Sequence, residues 1–381
     1  MKLSEFMKLN FLNRLLYLLC IFFGISLLVA CVETPTDGDI QKFESAERGD
    51  IFVLCEGLQG YDNSTLTLIK SSSGSVIQDY FKAGNPGEFL GDTANDMILK
   101  GDTAVIALST SSLIRFLDIK SGNKIRDISL PENCTPRHLA VVNDSLMCVS
   151  CLLRNSVYFF SLKNEQHSFE VEVGPQPEGI TYNNGVIFAA NSAYGDFNYM
   201  HPDAETISLV SVGNQSEMRK IQVGTNCMEV LFNPANNMLY AAYYHLPSAE
   251  DSVGGVVEFD LTNFERKRNW KIRARNICLS VKGDSLFFIS QQAKGSSMKE
   301  DSGITAIDLN SGQISKLINN PTKTDIWYGL SISPFDGSIW ICNSKNHIGN
   351  GQILVYSQSN YQSPAMKFDV MQNPNKVVFI K

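Results

Sequence analysis

Histidine and glutamate side chains are the residues in this sequence best suited to acid–base chemistry. His138, His201 and His347 could each serve as a general base beside Glu178 or Glu229. Three histidines could also ligate a metal ion, but no carboxylate stands at ligand spacing from them, so we expect no metal. The sequence contains no nucleophile elbow, zinc-protease, P-loop or EF-hand motif. We therefore expect a non-enzymatic protein without a cofactor, with a lyase or hydrolase as the alternative.

Aromatic, amide and charged residues form a second group, which suits the binding of a large ligand with polar and apolar parts. Aromatic rings cover apolar surface, whereas amides, carboxylates and guanidinium groups give directional hydrogen bonds. The candidate ligand-binding residues are Tyr194, Tyr199, His201, Tyr243, Tyr244, His245, Trp327, Tyr328, Arg137, Glu178, Asn95, Asp96 and Asn276. The alternative for each aromatic residue is that its ring only packs its own loop.

A degenerate repeat that begins after residue 50 must position these residues. Two apolar strands with a turn between them recur as LKGDTAVIAL, VVNDSLMCVS, YNNGVIFAAN, NPANNMLYAAY, VKGDSLFFIS and SPFDGSIWICN. The copies start about 40–55 residues apart, which is the period of four-stranded β-propeller blades. One ring of about 330 residues is a single domain despite its length.

The two ends of the repeat region supply parts of one blade. The segment 373–381 opens a unit without continuing it, and the segment 50–74 continues a unit without opening it. If Val377–Ile380 pairs beside Ile51–Leu54, the ring closes and leaves no long unpaired edge. We therefore predict an all-β, seven-bladed propeller, with an open repeat array as the alternative. The predicted blades are 373–381 plus 50–85, 90–131, 134–173, 174–223, 224–272, 273–319 and 320–370.

Loop lengths indicate which face of the propeller binds a ligand. The loop between the second and third strands is short near 110–112 and 153–155, but long at 191–206, 243–254, 291–302 and 343–351. These loops open on the face at which each innermost strand begins, called the upper face below. Long ordered loops are often functional. Four of the five histidines and the aromatic candidates fall on this face, so we expect the ligand there.

The first thirty residues have the features of a secretory signal. Lys2, Lys8 and Arg14 precede the apolar run Leu15–Ala30, which is shorter than the about 20 residues of a membrane span. A transmembrane anchor is the alternative. A small residue followed by Cys31 resembles the lipobox of bacterial lipoproteins, which implies that the Cys31 thiol carries a diacylglyceryl group.

An acidic segment follows at 31–49, and we interpret it as a flexible tether before a propeller at 50–381. Its early acidic residues also resemble the surface-export signal of Bacteroidetes lipoproteins. The formal net charge of the whole chain is −7, and because residues 1–30 carry a net positive charge, the remainder carries about −9. An acidic chain without a basic cluster is poorly suited to nucleic acid.

Two cysteines form a C-x-x-C pattern inside the apolar strand MCVSCLL. Cys148 and Cys151 are three residues apart, so they point to opposite faces of a strand. We interpret them as buried thiols rather than as a metal or redox pair, and we assign no disulfide.

Several stretches resemble the YncE-like surface-layer β-propellers of Bacteroidetes, namely FVLCEGLQGYDNSTLTLI, GDTANDMIL, PRHLAV, VGPQPEGI, ANSAYGD, YGLSISPFDGSIW and NPNKVVF. The resemblance covers residues 50–381, and within this family the chain is similar to the corrinoid-capturing, BtuG-like lipoproteins. It departs from the family at Cys55, where Asn is usual, and at Cys227-Met228 and Asn276-Ile277, where a Pro is usual.

The resemblance implies a lipoprotein on the surface of the bacterial outer membrane. Such a protein binds a corrinoid (cobalamin) and passes it to a TonB-dependent, BtuB-like transporter. The alternative without a small ligand is a structural or adhesive surface-layer protein.

The lipid anchor depends on a single thiol. Replacement of Cys31 by Ala should leave the chain unlipidated, because only the thiol can form the thioether to diacylglycerol. Metabolic labelling with a clickable fatty acid measures this directly. Labelling of the Cys31→Ala variant at the wild-type level would refute the lipobox.

Overall fold

The structure is a computed structural model that describes residues 45–163, 168–192, 200–244, 254–291, 302–322 and 324–381. The predicted leader at 1–30, Cys31 and most of the predicted tether lie outside the described residues. Residues 44–381 form one compact unit. Within the described ranges, no helix is long and apolar enough to cross a membrane.

Seven antiparallel, four-stranded sheets form the blades of a β-propeller, as the sequence predicts. From the innermost strand outward, blade 1 consists of β28 (Pro374–Phe379), β1 (Ile51–Cys55), β2 (Thr65–Ile69) and β3 (Val76–Ile77). Blade 2 consists of β4 (Ala94–Lys100), β5 (Thr103–Leu108), β6 (Leu113–Asp118) and β7 (Lys124–Ser129). Blade 3 consists of β8 (Pro136–Val141), β9 (Leu146–Cys151), β10 (Ser156–Ser161) and β11 (Ser168–Glu172). Blade 4 consists of β12 (Pro177–Asn183), β13 (Val186–Asn191), β14 (Thr206–Ser211) and β15 (Ser216–Gln222). Blade 5 consists of β16 (Cys227–Asn233), β17 (Met238–Tyr243), β18 (Gly255–Asp260) and β19 (Arg266–Trp270). Blade 6 consists of β20 (Arg273–Leu279), β21 (Ser285–Gln291), β22 (Gly303–Asp308) and β23 (Ile314–Asn319). Blade 7 consists of β24 (Trp327–Ile332), β25 (Ile339–Asn343), β26 (Asn350–Tyr356) and β27 (Met366–Gln372).

Apolar side chains on both faces of each sheet hold neighbouring blades together. In β1, Phe52 and Leu54 pack in the core shared with blade 2, whereas Val53 and Cys55 pack in the core shared with blade 7. This alternation follows from the two-residue period of a strand. Each blade is thus apolar on two faces and must be flanked by a blade on each side.

The ring closes between the C-terminal strand and the first strand, which confirms the prediction from the split repeat. β28 pairs antiparallel with β1, with Val377 opposite Val53 and Val378 opposite Phe52. The core between blades 7 and 1 joins Val377 to Trp340 of β25. Closure therefore rests on strand hydrogen bonds and on buried apolar surface together.

The innermost strands share a local distortion near their upper ends. In five blades the residue just before the strand has a left-handed conformation: Thr93, Thr135, Gln176, Asn226 and Asn373. Each innermost strand then shifts register against its neighbour, at Asn95, Arg137, Glu178, Met228, Asn276, Tyr328 and Asn375. A bulge leaves its extra residue outside the regular ladder and re-aims its side chain. One residue from each blade consequently lies at the upper end of the central channel.

A disulfide joins Cys134 to Cys151 across the upper end of blade 3, with Cα atoms 4.4 Å apart. The interpretation of Cys151 as a free buried thiol is therefore wrong. Cys134 lies two residues before β8 and Cys151 ends β9, so the hairpin brings together two cysteines that are distant in sequence. Cys148 is a free buried cysteine, and it packs in a different core from Cys151, as the three-residue spacing predicts.

The chain joins blade 1 at the lower face, opposite the upper face. The backbone N–H of Ala46 donates to the Tyr80 hydroxyl (3.1 Å) and to the carbonyl of Lys120, in a lower-face turn. Tyr80 belongs to the short helix α1 (Tyr80–Gly84), and a 3₁₀ turn spans Leu152–Arg154. Ala46, which lies in the predicted tether at 31–49, is thus buried against the propeller.

Ring closure gives a direct stability prediction. Deletion of residues 377–381 removes half of β28 and exposes the edge of β1, so we expect aggregation and a large fall in Tm. Differential scanning fluorimetry and size-exclusion chromatography measure both effects. Removal of the exposed Lys381 alone is the matched control and should leave Tm unchanged. An unchanged Tm after the longer deletion would mean that the ring does not depend on β28.

Candidate functional site

A continuous chain of hydrogen bonds runs around one side of the channel mouth, which is the upper end of the central channel. The Tyr328 hydroxyl donates to Glu56 Oε2 (2.7 Å), and Asn95 Nδ2 donates to Glu56 Oε1 (3.1 Å). Arg137 donates from Nη1 to Asn95 Oδ1 (3.0 Å) and from Nε to Glu178 Oε2 (2.8 Å). We call these five residues the polar arc. It links blades 7, 1, 2, 3 and 4.

Two cavities meet at the polar arc. The central channel has a volume of about 930 Å³ and is lined by all seven innermost strands. A side groove of about 410 Å³ lies over blades 1 to 3, next to the short upper loops of blades 2 and 3. Its wall includes Glu56, Thr110, Leu153 and His347. Arg137 and Tyr328 line both cavities, so a ligand in either one meets these two side chains.

Burial strengthens the electrostatic interactions of the polar arc. The side chain of Glu178 is 2% exposed and that of Arg137 is 23% exposed. Burial disfavours the guanidinium charge, but the charge and hydrogen bond of Glu178 together with the charge of Glu56 outweigh this and raise the pKa of Arg137. Burial raises the pKa of the Glu56 carboxyl, and burial with the charge of Glu56 raises the pKa of Tyr328. Tyr328 is consequently a neutral hydrogen-bond donor to Glu56 at ordinary pH.

A second carboxylate, Glu229, connects two blades on the opposite side of the mouth. It accepts hydrogen bonds from the Tyr244 hydroxyl (2.8 Å) and from the backbone N–H groups of Asn276 (2.6 Å) and Ile277 (2.7 Å). The Arg275 guanidinium lies 5.9 Å from the centre of the Tyr244 ring. Glu229 therefore joins blade 5 to blade 6 and presents Tyr244 and Arg275 to the channel.

Asp96 joins the innermost strands of three blades in a similar way. Its Oδ2 accepts a hydrogen bond from the backbone N–H of Leu139 (2.8 Å), and its Oδ1 forms an ion pair with Lys376. The imidazole Nδ1 of His138 lies 3.9 Å from Asp96 Oδ2. Both Asp96 and Glu229 bond to a backbone N–H of the following blade, which points to a structural role for these carboxylates.

Seven of the predicted site residues line the central channel together: Asn95, Asp96, Arg137, Glu178, Tyr244, Asn276 and Tyr328. They come from six blades, numbered 2 to 7, that are distant in sequence. The sequence repeat alone placed them on the same face.

Three other predicted residues lie elsewhere. Tyr243 and Trp327 are 7% and 3% exposed and pack in the cores between blades, so their assignment to the exposed ligand face is corrected. Each immediately precedes a channel residue. Because side chains alternate along a strand, its own side chain points into the core between two blades. His201 is exposed on its loop, where its Nδ1 accepts a hydrogen bond from the Asp203 N–H (3.1 Å), and it does not line either cavity. Tyr194, Tyr199 and His245 lie outside the described residues.

Sequence reasoning missed three charged residues at the mouth: Glu56, Arg275 and Lys376. Arg275 and Lys376 are each the third residue of their innermost strand, the position that Asp96 occupies in blade 2. An alignment of the seven innermost strands by their first residue would have identified these two. Glu56 lies in the loop after β1. The one feature of the sequence that marks it is a carboxylate directly after an apolar strand.

In the described part of the chain, no three His, Cys, Asp or Glu side chains are grouped as possible metal ligands. His347 instead contacts Asn373 Oδ1 through Nδ1 (2.9 Å), and its ring packs edge-on against Tyr328 with centres 5.0 Å apart.

Comparison with known proteins establishes the fold and no more. No protein-family model matches the sequence, and no curated protein matches it. A quinoprotein alcohol dehydrogenase-like protein from Bacteroides thetaiotaomicron is similar in structure, with a TM-score of 0.65 and 12% identity over 88% of this chain and 78% of that one. Hydrazine synthase from Kuenenia stuttgartiensis has a TM-score of 0.56 and 16% identity over 70% of this chain and 80% of that one. At such low identity, these similarities carry no statement about function.

The buried ion pair of the polar arc gives a prediction for stability. Arg137→Met should lower the free energy of unfolding by about 3 kcal/mol, because it leaves the buried Glu178 carboxylate without its cation. The double variant Arg137→Met/Glu178→Gln should recover more than half of this loss. Urea denaturation followed by tryptophan fluorescence measures each value.

The Arg154–Glu170 pair is the matched control, since these side chains are 36% and 26% exposed. Arg154→Met should cost less than about 1 kcal/mol, as is usual for exposed pairs. Equal losses from Arg137→Met and Arg154→Met would contradict the buried character of the polar arc.

Proposed function

We propose that this protein is a non-enzymatic binding protein that captures a ligand at the channel mouth. The observation that carries the proposal is the position of Arg137 and Tyr328, which lie where the central channel and the side groove meet. Both cavities fall in the size range of small-molecule sites. Partly buried, hydrogen-bonded side chains on a rigid ring of strands are pre-organised for binding.

The partners of the acidic residues favour binding over catalysis. Glu229 accepts three hydrogen bonds from its surroundings, and Glu178 is paired with Arg137. A general acid or base must instead exchange its proton with a substrate. The histidine closest to a mouth carboxylate, His138, approaches Asp96 only at 3.9 Å and is 43% exposed.

A corrinoid is the ligand that we propose, and the resemblance to BtuG-like lipoproteins is the reason for this choice. The chemistry of the mouth is compatible with it. Peripheral amides and a phosphate suit Asn95, Arg137 and Glu178, while the rings of Tyr244 and Tyr328 suit apolar parts of a macrocycle. The proposed corrinoid passes from this site to a TonB-dependent transporter.

We further propose that the protein is anchored by lipid on the outside of the bacterial outer membrane. Two structural features are in agreement. The Cys134–Cys151 disulfide is typical of proteins outside the reducing cytosol. The chain joins the propeller at the lower face, through Ala46 and Gly49, whereas the mouth opens on the opposite face.

Isothermal titration of residues 45–381 with cyanocobalamin and cobinamide tests the ligand. This segment contains all seven sheets and their shared cores, so it should fold on its own. Tyr328→Ala should weaken corrinoid binding by about 2 kcal/mol, or about 30-fold, because it removes an anchor shared by both cavities. Tyr328→Phe, which removes only the hydroxyl bonded to Glu56, should have a smaller effect.

Phe335→Ala is the matched control, since Phe335 is 53% exposed on the lower face of the same blade. It should leave affinity unchanged. If the wild-type propeller binds neither corrinoid, the ligand proposal is wrong. Equal loss of binding from Tyr328→Ala and Phe335→Ala, with unchanged Tm, would place the site away from the mouth.

A further inference from the structure

The central channel continues below the mouth and changes character along its length. Its upper lining carries the charged residues already described. Its lower lining includes Ile98, Leu231, Cys278 and Val378, and the terminal Lys381 is the one charged residue in the described lower lining. From the mouth to the lower face the channel follows innermost strands of six or seven residues, which is about 20 Å. A narrow passage that is polar at one end and apolar at the other suits an elongated amphipathic molecule.

The Ser331 and Cys278 side chains in the lower lining are already hydrogen-bonded. The Ser331 hydroxyl donates to the carbonyl of Val377 (2.9 Å), and the Cys278 thiol donates to the carbonyl of Leu330 (3.2 Å). Neither group is left to bind a polar ligand. The side chains of this part of the channel consequently offer a bound molecule apolar contact, at about 0.8 kcal/mol per buried methylene.

The upper part of the channel contains two buried acceptors that lack donors. Glu178 Oε1 and Asn375 Oδ1 have no hydrogen-bond partner among the described residues, although both residues line the channel. Glu178 is only 2% exposed. A buried acceptor without a donor is costly, so these atoms favour a ligand that supplies N–H groups. A carboxylate head has no N–H group to donate to Glu178 Oε1 or Asn375 Oδ1.

We propose that the central channel is a binding site for a linear amphipathic molecule with a primary ammonium head and an alkyl tail. The head lies at the mouth and donates to Glu178 Oε1, and the tail extends along Leu231 and Val378 toward the lower face. This site differs from the corrinoid site in the direction of insertion and in ligand class. It does not depend on corrinoid binding.

Three probes with the same tail separate the contributions of charge and of N–H donors. Isothermal titration of residues 45–381 with decylammonium, decyltrimethylammonium and decanoate, each below its micelle concentration, compares them. Decylammonium should bind with one-to-one stoichiometry. Decyltrimethylammonium keeps the charge and tail but has no N–H donor, so its affinity should be at least about 10-fold lower. Decanoate should not bind.

Variants of the channel wall test the location. Leu231→Arg and Ser331→Phe each obstruct the lower channel, one with charge and one without, and both should abolish decylammonium binding. Glu178→Gln keeps a hydrogen bond to Arg137 but removes the negative charge, so it should weaken decylammonium by about 10-fold. Met218→Arg, on the outer strand β15 and 57% exposed, is the matched control and should have no effect.

The outcomes separate this proposal from the corrinoid proposal. Absence of decylammonium binding, equal binding of all three probes, or wild-type affinity in folded Leu231→Arg and Ser331→Phe would each overturn the channel site. Thermal melts establish that the variants are folded, and the two obstructing substitutions are chemically unrelated. Decylammonium binding without corrinoid binding would support the channel site and refute the corrinoid site.

Discussion

Pairing of the C-terminal strand with the first strand is the constraint on which the mouth depends. β28 is the innermost strand of blade 1, and it carries Asn375 and Lys376 to the channel. β24 of blade 7 packs directly on it, because a Cβ added to Gly329 would lie 2.0 Å from the carbonyl oxygen of Asn375. On the other side, Asn375 Nδ2 donates to the carbonyl of Ala94 (2.7 Å). The strand pairing that closes the ring therefore also places Asn375 and Lys376 at the mouth.

The repeat made the architecture predictable, whereas side-chain direction at the mouth was less so. Apolar strand pairs at a fixed period defined the blades, and the incomplete units at the two ends defined the closing blade. Tyr243 and Trp327 were assigned to the ligand face, but only their neighbours Tyr244 and Tyr328 line the channel. Adjacent residues of a strand point to opposite faces, so a one-residue bulge in an innermost strand changes which side chain reaches the channel.

Contacts between distant segments were the other features that the sequence did not disclose. Cys134 and Cys151 meet because the upper ends of β8 and β9 are adjacent, and no sequence spacing signals this disulfide. Glu56 reaches the mouth because blade 1 lies between blades 7 and 2, where Tyr328 and Asn95 both bond to it. The Tyr328–Glu56 bond depends on the closed ring, whereas the disulfide depends on the hairpin of blade 3.

The central claim is that the upper-face mouth, rather than another surface of the propeller, binds the ligand. Hydrogen–deuterium exchange of residues 45–381 with and without cyanocobalamin tests it most directly, since exchange reports protection along the whole backbone. The account predicts slower exchange in segments 93–97, 135–139, 176–180 and 326–329, at the upper ends of four innermost strands. Unchanged exchange in these segments, together with protection of lower-face turns such as 118–122 or 333–338, would contradict it.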